Sequence, residues 1–235
     1  MTVLAIDIET YSDIDLTENG VYKYVDSDNF RILLFAYAFN DEDEDIVDLE
    51  SGEELPERVV KALLDKNVVK TAFNAQFERV AINKYLGAKT ENWECTMIMA
   101  WSLGITGGLE NVGKVIGLDP DKQKMAIGKK LIKIFCKPKP NRKNKKQLAM
   151  FKVTDRVLPS DMPEEWKTFK EYCIRDVEVE RYIRRKLERF KTIDAEKKLY
   201  ELDQKINDRG VLIDLDMAEN AISIDMEQTE RLTEI

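Results

Sequence analysis

The stretch that most constrains the fold stands at the start of the chain, where the apolar run Val3-Leu4-Ala5-Ile6 passes directly into Asp7-Ile8-Glu9-Thr10. A short apolar run bounded by polar residues suits a strand buried on both faces. Side chains alternate along a strand, so Asp7 and Glu9 at the strand's end project to one side. Two carboxylates leaving water together repel each other, and a divalent cation held by hard oxygen ligands offsets that cost. Alone, the pair reads more simply as a solvated strand end. The reading therefore turns on whether further carboxylates arrive downstream.

The chain of 235 residues is 43% hydrophobic with a net charge of -8, enough for one sizeable domain and an appendage. No apolar run approaches the roughly 18 residues of a membrane span, so none is expected. Met1-Thr2-Val3 leads straight into the first strand, which leaves no room for a signal peptide. Cys95, Cys136 and Cys173 are scattered singly, without metal-ligand or disulfide spacing, and a reducing cytoplasm fits them. There is no histidine, which excludes histidine general bases, Ser-His-Asp triads and most zinc sites. Hydrolytic chemistry would have to run on carboxylates, Tyr, Lys or metal-bound water.

Tyr11 to Asp28 is polar and Asp-rich and reads as a loop. Arg31 to Phe39 is an apolar, aromatic strand, followed after an acidic turn by a shorter one, Ile46 to Leu49. The short connections make this meander antiparallel. Leu55 to Asp65 has apolar residues at helical spacing, and Val68 to Phe73 is the next strand, so this strand, helix, strand order implies a parallel crossover. The class is α/β with a mixed sheet. Asn74, at the following strand-to-helix junction, suits a cap, and the helix continues to Leu86. Trp93 to Leu103, Leu109 to Leu118, Glu164 to Phe190 and Asp194 to Asp208 carry helical patterns. Asp214 caps a last helix that is cut off at Ile235, as in a piece of a longer chain.

Between Lys122 and Lys152 the charged residues are all basic, Lys129, Lys130, Arg142 and Lys143 among them. Pro138 and Pro140 break regular structure there, so a solvated loop is one reading. The other is a phosphate-binding strip, with Phe135 and Phe151 free to stack on bases.

Four carboxylates then stand in coherent contexts: Asp7 and Glu9 on a strand, Glu78 just after another, and Asp176 on a late helix one turn from Tyr172. Asp7-Ile8-Glu9-Thr10, Asn74-Ala75-Gln76-Phe77-Glu78 and Tyr172-Cys173-Ile174-Arg175-Asp176 resemble, in order, the three motifs of the DEDD-type 3′–5′ exonucleases whose third motif carries tyrosine. Trp93 to Met97, Leu109 to Gly113 and Ile206 to Asp214 are similar to stretches of family A DNA polymerases, phage ones especially. The resemblance covers nearly the whole chain and implies a ribonuclease H-like fold. It divides the chain into an exonuclease domain over 1–190 and a helical connector over 191–235 that enters a polymerase domain.

In such enzymes two divalent ions about 4 Å apart activate water and neutralise the phosphoryl group. The resemblance implies two Mg²⁺ or Mn²⁺ ions, with Asp7 bridging them, Glu9 and Asp176 on the nucleophile side, and Glu78 serving the second ion. Tyr172 would orient the attacking water, while backbone groups near Thr10, together with Asn74 and Gln76, would line the terminal nucleotide. The family's second motif ends in Asp, whereas Glu78 adds a methylene and moves the carboxylate by roughly one C–C bond length. The implied substrate is single-stranded DNA or a primer 3′ end, cut to nucleoside 5′-monophosphates by a monomer in a bacterial or phage-infected cytoplasm. Two other readings stand beside this one: an RNase D-like RNA 3′-processing exonuclease, and a degenerate fold that holds DNA without cutting it.

Overall fold

The computed structural model describes residues 1–118, 127–139, 156–190 and 193–233. Its sheet has five strands in the order β3-β2-β1-β4-β5. The central strand β1 (Val3–Tyr11) pairs antiparallel with β2 (Arg31–Phe39) and parallel with β4 (Val69–Ala72). At the edges, β3 (Asp45–Asp48) is antiparallel to β2, and β5 (Trp93–Cys95) is parallel to β4. The sheet is mixed and flanked by helices, as the α/β, ribonuclease H-like expectation requires. Asp7 and Glu9 lie inside β1 rather than at its end, because the strand runs on to Tyr11 through a register shift between Glu9 and Thr10.

Helices α1 (Leu16–Val25), α2 (Glu57–Leu64) and α3 (Gln76–Leu86) supply one apolar cluster, in which Tyr24, Val59, Leu63 and Ile82 pack with Leu4, Ile6 and Ile8 of β1. On the other side, Ala5, Ala36 and Ala38 of the sheet meet Phe169, Tyr172, Cys173 and Val177 of a long helix. We label that helix α7 (Pro163–Leu187). A row of alanines there lets α7 approach the sheet closely. Helix α6 (Gly128–Phe135) joins the same cluster through Leu131 and Phe135. A third cluster ties α4 (Thr96–Ser102) and α5 (Leu109–Val115) to Val179, Ile183 and Leu187 of α7.

Three elements differ from the sequence expectation. The stretch from Tyr11 to Asp28 is not all loop: Asp15 accepts from the backbone N–H of Thr17 at 2.8 Å and Glu18 at 3.3 Å and starts α1. Its acidic character is thus partly a cap, and Gly20, at φ 75°, kinks the helix. Trp93 to Leu103 is not one helix, since Trp93, Glu94 and Cys95 pair with Lys70, Thr71 and Ala72 before α4 begins. Three residues are too few to show a period of two. The basic segment holds α6, whose apolar face is buried while Lys129 and Lys130 are exposed.

The chain divides into two compact units, Met1–Lys191 and Thr192–Ile235. The second contains α8 (Asp194–Arg209) and α9 (Leu215–Thr233), the latter opened by Asp214, which accepts from the N–H of Met217 at 3.0 Å. Among the described residues no helix is long and apolar enough to cross a membrane.

Candidate active site

The site is built where β1 faces α7. Alternation along β1 turns Leu4, Ile6 and Ile8 to one cluster and Ala5 to the other, so Asp7 and Glu9 share the α7 side with Ala5. On α7, Asp176 follows Tyr172 by four residues and therefore lies one turn along the same face. One carboxylate oxygen each from Asp7, Glu9 and Asp176 falls within 4.8 Å of the others. Asp7 is half-buried, while Glu9 and Asp176 are only 7% and 3% exposed. The strand pair Asp7 and Glu9, joined by Asp176 from far along the chain, forms an all-oxygen donor set suited to a divalent cation.

Glu78 stands in the first turn of α3 and is 5% exposed. It is not a member of the three-carboxylate cluster, but the cluster acts on it. Burial, then the charge of Asp7, with Glu180 and Glu9 behind, push its carboxyl well above the ordinary range. Among the described residues its Oε2 is buried without a hydrogen-bond partner. A buried carboxyl oxygen left unpaired beside other acids is costly unless a cation or ordered water meets it, so the residues present fit a divalent ion.

Tyr172 is fully buried, with its ring stacked on Phe169 at 6.1 Å between centroids and 12° between planes. Burial, and after it the charges of Asp176, Glu9 and Asp7, push its phenol far up, so the hydroxyl remains a proton donor. Thr10 is also buried, and its hydroxyl lies 2.9 Å from that of Tyr24. Asn74 is exposed and does not cap α3 with its side chain. It takes a left-handed backbone, φ 75°, that turns the chain from β4 into the helix, and Gln76 follows half-buried as its first residue. Lys129 and Lys130 lie exposed on α6, whereas Arg142, Lys143 and Phe151 fall outside the described residues. Phe135 is not free to stack on a base. It is fully buried against Trp166 and Phe169, at 4.9 and 5.4 Å between ring centroids.

Two cysteines that carried no sequence signal touch the acids. The Cys173 thiol lies 3.6 Å from Asp7 Oδ2, and that of Cys136 lies 3.7 Å from Glu9 Oε2. Burial, followed by the neighbouring carboxylates, raises both thiols, so each is a neutral donor to its acid. Glu180, one turn beyond Asp176, is a further buried acid that sequence reasoning missed. It accepts from the hydroxyl of Thr96 and, at 3.5 Å, from that of Thr71, and burial pushes it up to about 6.

Known proteins show what the chain as a whole is similar to. A family profile described as 3′–5′ exonuclease matches residues 2–190. The chain is 45% identical over 228 residues to a DNA polymerase of Bacillus phage SP02, covering 96% of this chain but only 34% of that polymerase. Among solved structures it is similar to Trypanosoma brucei RNase D in complex with RNA U12, at 14% identity and a TM-score of 0.48 over 79% of this chain and 55% of that one. It is also similar to Brucella melitensis NrnC with bound Mg²⁺, at 15% identity and a TM-score of 0.41 over 86% and 80% of the two chains.

Proposed function

Since the chain belongs to the 3′–5′ exonuclease family found in family A DNA polymerases, we propose that it hydrolyses the terminal phosphodiester of DNA 3′ ends, releasing nucleoside 5′-monophosphates. The observation that carries this reading is the convergence of Asp7, Glu9 and Asp176 within 4.8 Å. Those three would hold two divalent ions, Mg²⁺ or Mn²⁺, with the buried carboxyl of Glu78 completing the set. Ions bound there supply an activated water and neutralise charge on the phosphoryl oxygens and leaving group.

The remaining work falls to the chain's own groups. Cys173 and Cys136 donate to the carboxylates and fix how they turn. Tyr172 keeps its proton and offers it as a hydrogen bond to the attacking water, beside Asp176. Thr10, Asn74 and Gln76 receive the terminal nucleotide. Lys129 and Lys130, with Arg142 and Lys143, contact backbone phosphates and make binding fall with salt.

We assign 1–190 to the exonuclease domain and 191–235 to a connector that leads into a polymerase domain, so that the activity is proofreading. A similar piece of the phage relative occupies a third of that chain. The protein would act as a monomer in a bacterial or phage-infected cytoplasm, with a primer 3′ end as its partner. Incubation with 5′-labelled single-stranded DNA in Mg²⁺, Mn²⁺ or EDTA, beside Asp7→Ala, tests the reading. Metal-dependent shortening from the 3′ end that the variant lacks supports it. DNA binding without shortening overturns it in favour of a holding module.

A further inference from the structure

Helix α6 touches the site at both ends. At its first residue, Gly128, an added Cβ would lie 2.5 Å from Tyr172 Cζ and 2.7 Å from Cδ2, and closer still to Cε2. These are atoms of a rigid ring that is fully buried and stacked on Phe169, so it has no flexible end to swing aside. Phe169 is itself stacked on Phe135 at the other end of α6, at 5.4 Å and 21°. Immediately after Phe135, the Cys136 thiol reaches Glu9 Oε2 at 3.7 Å.

We propose that α6 is a brace for the active site and that Gly128 is the positioning residue of Tyr172. The absence of a Cβ lets the helix backbone lie directly on the phenol ring and hold it beside Asp176, while the far end of the same helix orients Glu9. A side chain at position 128 and the ring at 172 cannot share the space they now occupy, so the glycine sets where the hydroxyl stands. The inference rests on the exonuclease reading of Tyr172 given above. It extends that reading to a residue that never meets DNA.

Two double-variant cycles on the full chain test it. With Mn²⁺ and single-stranded DNA, Gly128→Ala is expected to lower kcat by about 10- to 100-fold, the scale of a misplacement of roughly 1 Å. Mn²⁺ affinity by calorimetry falls less than kcat, because only Glu9 of the three clustered acids touches the far end of α6. In a Tyr172→Phe background, Gly128→Ala should lower kcat no further, since no hydroxyl remains to misplace. In EDTA, Gly128→Ala should lower the melting temperature, and Tyr172→Ala should abolish that difference by removing the ring. Unaltered kcat, an equal loss in the phenylalanine background, or an equal loss of melting temperature without the ring each overturns the proposal. Should Gly128→Ala alone not fold, recovery of folding with Tyr172→Ala supports the contact, and its failure overturns it. A wild-type chain without metal-dependent degradation overturns the exonuclease reading, and with it this role for Tyr172. An active wild type with additive variants overturns the role of Gly128 alone.

Discussion

Asp7, Glu9 and Asp176 lie closer together than three charged carboxylates would choose, and a cation bound among them would relieve that repulsion. Replacing Asp7 with Ala should therefore raise the melting temperature in EDTA while lowering metal-dependent hydrolysis by at least about a hundredfold, the scale set by removing one preorganised group. Mn²⁺ should raise the melting temperature of the wild type and not that of the variant. A thermal scan with and without the ion checks both signs, and an Asp7→Ala chain less stable in EDTA than the wild type would contradict this account. Glu78→Gln should likewise be more stable in EDTA and less active, because burial and the neighbouring acids disfavour its charged form. These acids were legible in the sequence because their chemistry is tied to spacing: two apart on a strand, four after a tyrosine on a helix. Cys136, Cys173 and Gly128 were not. A single cysteine or glycine has no period, and each gains its meaning only when tertiary packing brings it against Glu9, Asp7 or Tyr172.

Helix α7 carries Tyr172, Asp176 and Glu180 at successive turns, so one element presents both the proposed catalytic pair and a further buried acid to the sheet. Glu180 has an ordinary value of 4.5 and is pushed up to about 6, chiefly by burial. The folded chain thus keeps a proton there that the unfolded chain releases, and stability should fall as pH rises from about 4.5 to about 6. At about 1.4 kcal/mol per pKa unit, the decline attributable to Glu180 approaches 2 kcal/mol and is complete above the folded value. Urea melts in EDTA at several pH values should show the decline, and Glu180→Gln should lose that part of it while still accepting from Thr96. An unaltered slope in the variant would refute the assignment. Phe135→Ala should cost about 3–5 kcal/mol, as a buried aromatic of this size does, and should loosen α6 from α7. Elements with long periodic patterns, α7 above all, were visible in advance. Helix α6 was hidden by its lysines, because only three of its eight residues are buried, in a core that α7 and the sheet complete, and β5 was too short to show alternation.

At the scale of the molecule, the three apolar clusters draw all their residues from the first compact unit, between Leu4 and Leu187. A unit that contains its whole core should fold without help. The second unit is differently made: Leu199, Leu202, Leu215, Met217, Ile222 and Met226 along α8 and α9 are all more than half exposed. Two helices that bury so little apolar surface cannot offset the entropy of ordering their backbone. A chain cut after Lys191 should therefore melt cooperatively within a few degrees of the full chain, retain the Mn²⁺-induced rise in melting temperature, and retain single-strand degradation. The peptide Thr192–Ile235 alone should show weak, concentration-dependent helicity by circular dichroism and no cooperative transition. Loss of folding or of the ion response on removal of the second unit would mean that the active site draws support from beyond Lys191. The separate division of labour proposed for the two parts, hydrolysis in one and passage to a polymerase in the other, would then have to give way to a single functional body.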